Sequence, residues 1–154
     1  MEQETGYRQQ LVQEYKQGAM PLLRYLPWLE QHEGKKVSST YAEQSLTQHS
    51  MSFPVYDGTL MNFVREAQKS PFIDKNYRYT YSRHNIHNHG DEHRLIQSAG
   101  IDQWGILCGI LSYYVCGGRT KGNLWSEAVQ EGIFCDALRK MKEIIEYWDR
   151  PFEV

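Results

Sequence analysis

Between Ile101 and Trp148 three apolar segments follow one another with almost no slack, and that run limits what the chain can become. In the first, Trp104, Leu107, Leu111, Tyr114 and Val115 recur at steps of three and four. Ile106, Ile110 and Tyr113 widen this surface until it nearly encircles the segment. A helix apolar on all sides belongs in the middle of a bundle. In the third segment, Phe134, Leu138, Met141, Ile145 and Trp148 form a narrower stripe. Arg139, Lys140, Lys142, Glu143 and Glu146 back it, the pattern of a half-buried helix with a solvated face. Between them Leu124, Trp125, Ala128 and Val129 predict a short second helix. Gly117–Gly118 is expected to end the first helix in the left-handed conformation that glycine accepts. Asn123 is expected to cap the second, and Gly132 to separate it from the third.

A chain of 154 residues can enclose one such core but not two comfortable ones. The rest of the sequence should therefore wrap around this trio. Residues 1–18 are polar apart from Leu11, Val12 and Tyr15, and predict a weakly attached segment with a short helix that Gly18 closes. Pro21 suits a first helical position, and Pro27 should kink or divide the following run of Leu22, Leu23, Tyr25, Leu26, Trp28 and Leu29. Residues 35–52 are rich in Ser, Thr and Gln without a helical stripe, and predict an irregular insert with room for a short hairpin. Asp57 offers an N-cap for a helix that buries Leu60, Phe63, Val64 and Ala67 and stops at Ser70–Pro71. Tyr77, Tyr79 and Tyr81 alternate with Arg78, Thr80 and Ser82 at strand spacing. Asp91 is placed to begin a short helix through Leu95 and Ile96. The expected fold is thus mainly α: a single-domain bundle of roughly five to seven helices over residues 1–154 with an irregular polar insert.

The segments PVYDGTLMNFV, Pro71–Tyr77 and GGRTKGNLWSEAVQEGIF, with the helix that follows, resemble an uncharacterised bacterial domain-of-unknown-function family. That family is frequent in low-GC Gram-positive bacteria and their mobile elements. The resemblance spans Pro21 to Trp148, and its motifs are structural: a helix start, a glycine turn and a Trp-centred core. It assigns no activity. It implies a phage or mobile-element setting, with an accessory role or inhibition of a host defence system.

Composition narrows the functional classes. A net charge of −2 argues against a general nucleic-acid coat. Cys108, Cys116 and Cys135 all lie in apolar helical segments, as expected of free thiols in a reducing compartment. The first ten residues lack the basic and apolar regions of an export signal, and no apolar run approaches the ~20 residues that cross a bilayer. A cytoplasmic protein without a membrane partner is expected.

Four constellations could carry function. His87, His89 and His93 lie within seven residues, and imidazoles brought together from a flexible loop suit zinc. The run nearly matches the H-x-H-x-D-H pattern of metallo-β-lactamase-like hydrolases, with one residue too many before the last histidine. Cys135 lacks any motif that would activate a thiol, and Glu127 and Glu131, four apart, read as an exposed helix face. Asp57 and Glu66 could also serve as paired carboxylates. The turn from Gly117 to Gly122 sets Arg119 and Lys121 ahead of a helix N-terminus, where an anion can be held, although it is not a P-loop. Tyr77, Arg78, Tyr79, Tyr81 and Arg83 are the residue types that dominate interface hot spots, and 11 tyrosines in the chain strengthen that reading. The leading expectation is a non-enzymatic protein that binds a protein partner through this stretch, with no catalytic residue and no cofactor. The alternatives are a zinc-dependent hydrolase on the histidines and a nucleic-acid binder using Arg78, Arg83, Arg94, Arg119 and Lys121.

Overall fold

Helical periodicity and capping divide the chain into eight α-helices among the residues that the computed structural model describes, which are 2–35, 38–40 and 54–149 for the backbone and 6–35 and 57–149 for the side chains. They are α1 (Glu2–Leu23), α2 (Leu26–His32), α3 (Gly58–Lys69), α4 (Tyr77–Arg83), α5 (His89–Ser98), α6 (Trp104–Gly117), α7 (Leu124–Gln130) and α8 (Ile133–Trp148). A single 3₁₀ turn, Ile101–Gln103, leads into α6. Strands β1 (Ser38–Thr40) and β2 (Pro54–Tyr56) pair antiparallel, with Thr40 opposite Pro54. Most of the expected insert, residues 36–37 and 41–52, lies outside the described residues.

The C-terminal trio forms the centre, as its periodicity requires. α6 buries Trp104, Leu107, Ile110, Leu111, Tyr114 and Val115, and it touches α3, α4, α5, α7 and α8. α8 lays Phe134, Leu138, Met141 and Ile145 into the same core and also meets α1, α2, α5 and α7. Phe134 packs edge-on to both Phe63 of α3 and Tyr114 of α6. Asp57 caps α3 by accepting from the Thr59 amide at 2.7 Å, and Leu60, Phe63, Val64 and Ala67 are buried below it.

Several local expectations are corrected. α1 continues through Gly18, which is glycine for another reason: Pro71 and Phe72 lie so close that a Cβ there would stand 2.8 Å from each. Within the segment expected to be weakly attached, Val12 is fully buried, Tyr15 stacks on Trp104 at 4.1 Å, and Lys16 pairs with Asp149 at 2.8 Å. Pro21 falls in the last turn of α1 instead of opening a helix. The chain divides at Arg24–Tyr25, so that Pro27 sits in the first turn of α2, where its missing N–H costs nothing. Gly118 is right-handed (φ −67°) and is glycine for a different reason. The Trp125 indole lies against it, and a Cβ would come within 2.1 Å of Nε1. Asn123 holds the N-cap position of α7 in the left-handed region (φ 68°). α5 begins at His89, two residues before Asp91, with Asn88 as its N-cap. The tyrosine stretch is a helix, α4, which brings the number above five to seven. α4 lies directly on α6: a Cβ at Gly109 would stand 2.7 Å from the Thr80 methyl and 2.9 Å from its Cβ.

Candidate functional site

As a helix, α4 sorts its tyrosines by i, i+4 spacing. Tyr77 and Tyr81 face α6, where Tyr81 stacks on Tyr113 at 4.4 Å and Tyr77 meets the same ring edge-on at 5.9 Å. Arg78, Tyr79 and Arg83 face outward, with Tyr79 63 % exposed and the Arg83 guanidinium donating to its hydroxyl at 3.3 Å. The five residues expected to bind a partner thus split into an inner pair that anchors and an outer trio that remains accessible.

Below α4, the first turn of α5 is fixed by a reciprocal cap. The Asn88 side chain accepts from the Asp91 amide at 2.8 Å, and the Asp91 carboxylate accepts from the His87 amide at 3.0 Å. This directs Glu92 inward, where it is 3 % exposed. A buried carboxylate needs donors, and three converge on it. Tyr114 Oη donates to Oε1 at 2.7 Å, His89 Nδ1 lies 2.8 Å from the same oxygen, and Tyr81 Oη donates to Oε2. His89 Nε2 in turn stands 3.1 Å from Glu127 Oε1 on α7. Burial, and then the Glu92 carboxylate, push both phenols well above their ordinary range, so they remain donors. Burial pulls His89 down, but its bonds with Glu92 and Glu127 outweigh that and hold it above 6.5. One turn later, His93 Nδ1 bonds Asp136 of α8, and Nε2 lies 2.9 Å from the Glu131 carbonyl. α5 is therefore tied to α4, α6, α7 and α8 by polar bonds, and between α4, α5, α6 and α7 a cleft of about 380 Å³ opens.

The three histidines are not brought to one point. His89 and His93 turn to different partners, and only the His87 backbone enters this network. Among the described residues no group of three His, Cys, Asp or Glu side chains is arranged to hold a metal ion. Arg119 and Lys121 are both exposed, and the Lys121 ammonium rests over the Tyr113 ring at 5.7 Å. Arg94 pairs with Asp91 at 3.3 Å. Asp57 and Glu66 are separated by their duties, one capping α3 and the other pairing with Arg24 at 3.3 Å. Glu127 is no plain surface residue, since it reaches His89. Burial raises all three thiols, Cys108 to about 12 and Cys135 to about 11, which opposes a thiolate at neutral pH.

The site residues that pattern reading misses are Glu92, Tyr114, Glu127 and Asp136. A signal was present for the first: Glu92 follows His89 by three, a spacing that places both on one helix face. Tyr114 carried a weaker one, because a phenol in so apolar a helix must find a polar partner.

Residues 15–147 match a family of unknown function, DUF6508. The chain belongs to that family. The match takes in every residue of the Glu92 network, so the network lies within the DUF6508 domain and not in an appendage to it. No curated protein and no solved structure matches the chain. No helix among the described residues is long and apolar enough to cross a membrane.

Proposed function

We propose that the protein works by binding a protein partner through the outer face of α4. The observation that carries this reading is the way α4 is held. Its inner side is fixed by the Tyr81–Glu92 bond, the Tyr113 stack and the close approach of Thr80 to Gly109. The outer side thus presents Arg78, Tyr79 and Arg83 already ordered, which lowers the entropic cost of association. Tyrosine and arginine are the types most often central to interfaces. Support for binding over catalysis comes from Glu92, whose oxygens are already met by three donors, and from the raised thiols. The setting suggested by the family resemblance is an accessory or inhibitory role toward a host defence system.

Cross-linking in native lysate, followed by affinity measurement on the purified pair, tests the reading. Tyr79→Ala with Arg83→Ala should cost ~2 kcal/mol or more in affinity. Unchanged affinity of that double variant would move the interface elsewhere. A salt titration separates partner classes, since phosphate contacts give a steep fall in affinity with salt. The expected slope is shallow. On this reading the purified chain carries no stoichiometric zinc; elemental analysis finding one zinc per chain, lost when His87, His89 and His93 are all changed to Ala, would move the hydrolase alternative to first place.

A further inference from the structure

The cleft behind α4 offers several unmet acceptors. Tyr81 and Tyr114 both commit their hydroxyl protons to Glu92, and because the Tyr114 oxygen also lies 3.1 Å from His89 Nδ1, the Tyr81 oxygen is the freer of the two to accept. Both ring nitrogens of His89 are engaged by carboxylates. Glu127, on the rim and about half exposed, uses only Oε1 on His89. The Tyr113 hydroxyl has no protein partner among the described residues, and no lysine or arginine is among the lining residues. The remaining donors are the Tyr113 hydroxyl, which can equally accept, and the Asn88 amide and the His87 ring at the exposed edge. The lining itself carries two carboxylates, Glu92 and Glu127, and one imidazole, His89. The same aromatic wall already carries one ammonium, that of Lys121 over Tyr113.

We propose that this cleft, between Tyr81, Tyr113, Tyr114 and Glu127, is a binding site for an alkylammonium group. The cleft volume of about 380 Å³ is within the range of small-ligand sites. An ammonium brings three donors and no acceptor, the complement of such a lining, and its alkyl stem lies against tyrosine rings that favour cations. The group can come from a free amine or from the side chain of a lysine on another protein. The proposal does not depend on the outer face of α4 being an interface.

The test is a ¹H–¹⁵N NMR titration of the full chain with n-butylammonium chloride at constant ionic strength, with 1-pentanol as the uncharged counterpart. Saturable shifts at the amides of His89, Tyr113, Tyr114 and Glu127 are expected with the ammonium and not with the alcohol. Glu127→Gln, checked for an unchanged melting curve, should weaken binding about tenfold, as loss of a charge-assisted bond does. A parallel titration with N-acetyl-lysine methylamide identifies the source. Tighter binding than n-butylammonium indicates a lysine side chain, and weaker binding a free amine; either supports the site. Equal responses to ammonium and alcohol, or no saturable shift in the unmodified chain, would overturn the proposal whether or not Glu127→Gln folds. So would affinity unchanged by that substitution.

Discussion

The α6–α8 block and the α4–α5 corner share a wall at Tyr113 and Tyr114 but are held by different forces. In the block, Leu107, Ile110, Leu111, Phe134, Leu138 and Met141 exclude water together, and no single contact dictates direction. In the corner, no residue of α4 is buried. One carboxylate, Glu92, fixes the arrangement through three directed bonds. Apolar packing tolerates small shifts, whereas a buried polar network is stable only when all its members are satisfied. The corner is therefore the more exacting part of the molecule, although it buries less.

The largest effect should come from the block. Trp125 is 9 % exposed, donates from Nε1 to the Val115 carbonyl at 3.1 Å and lies on Gly118. Trp125→Ala should cost ~3–5 kcal/mol in denaturant unfolding. A loss under ~1 kcal/mol would mean that the core does not rest on this ring. Next comes Glu92→Ala, which strands two phenols and an imidazole and should cost ~3 kcal/mol. If it costs no more than a surface substitution, the contrast between the two regions fails.

A smaller effect distinguishes the regions by pH. Because His89 stands above 6.5 when folded, its contribution is complete below that value and is lost as pH rises through the raised one. The melting temperature of the unmodified chain should fall across that window, and His89→Gln should flatten the fall. Trp125→Ala should lower the whole curve and keep its slope, since the Trp125 ring is not among the partners of His89. The smallest effect belongs to Tyr79→Ala with Arg83→Ala, which should shift folding stability by about ±0.5 kcal/mol because both side chains are exposed. Unfolding by that pair would show that α4 leans on its outer face as well.

The block was legible because its signal is local and repeated. Trp104, Leu107, Leu111 and Val115, and again Phe134, Leu138, Met141 and Ile145, all report the same period, and all are buried. The Asp57 cap was legible for the same reason, acting within two residues. The corner was not. Seven residues from Tyr77 to Arg83 fit an alternating pattern as well as a helical one, and the deciding contact, Thr80 against Gly109, comes from another helix. The histidines were conspicuous in sequence, yet their partners lie far along the chain: Glu127 is 38 residues from His89, and Asp136 is 43 from His93. No periodicity records such pairings.

Gly109 gives the molecule an adjustable spacing. It interrupts an otherwise apolar helix at a cost in helix propensity of about 1 kcal/mol relative to alanine. In exchange, α4 settles to the depth at which Tyr81 reaches Glu92. One added methyl group at this position acts as a wedge, since the nearest atoms belong to the short, branched side chain of Thr80 and cannot swing aside. Gly109→Ala would lift α4 from its seat while improving the helix beneath it. Gly109→Ala with Thr80→Ser would return part of the height. The two substitutions form a graded series in which the aperture behind α4 varies while Glu92, Glu127 and all three cleft tyrosines stay the same residues.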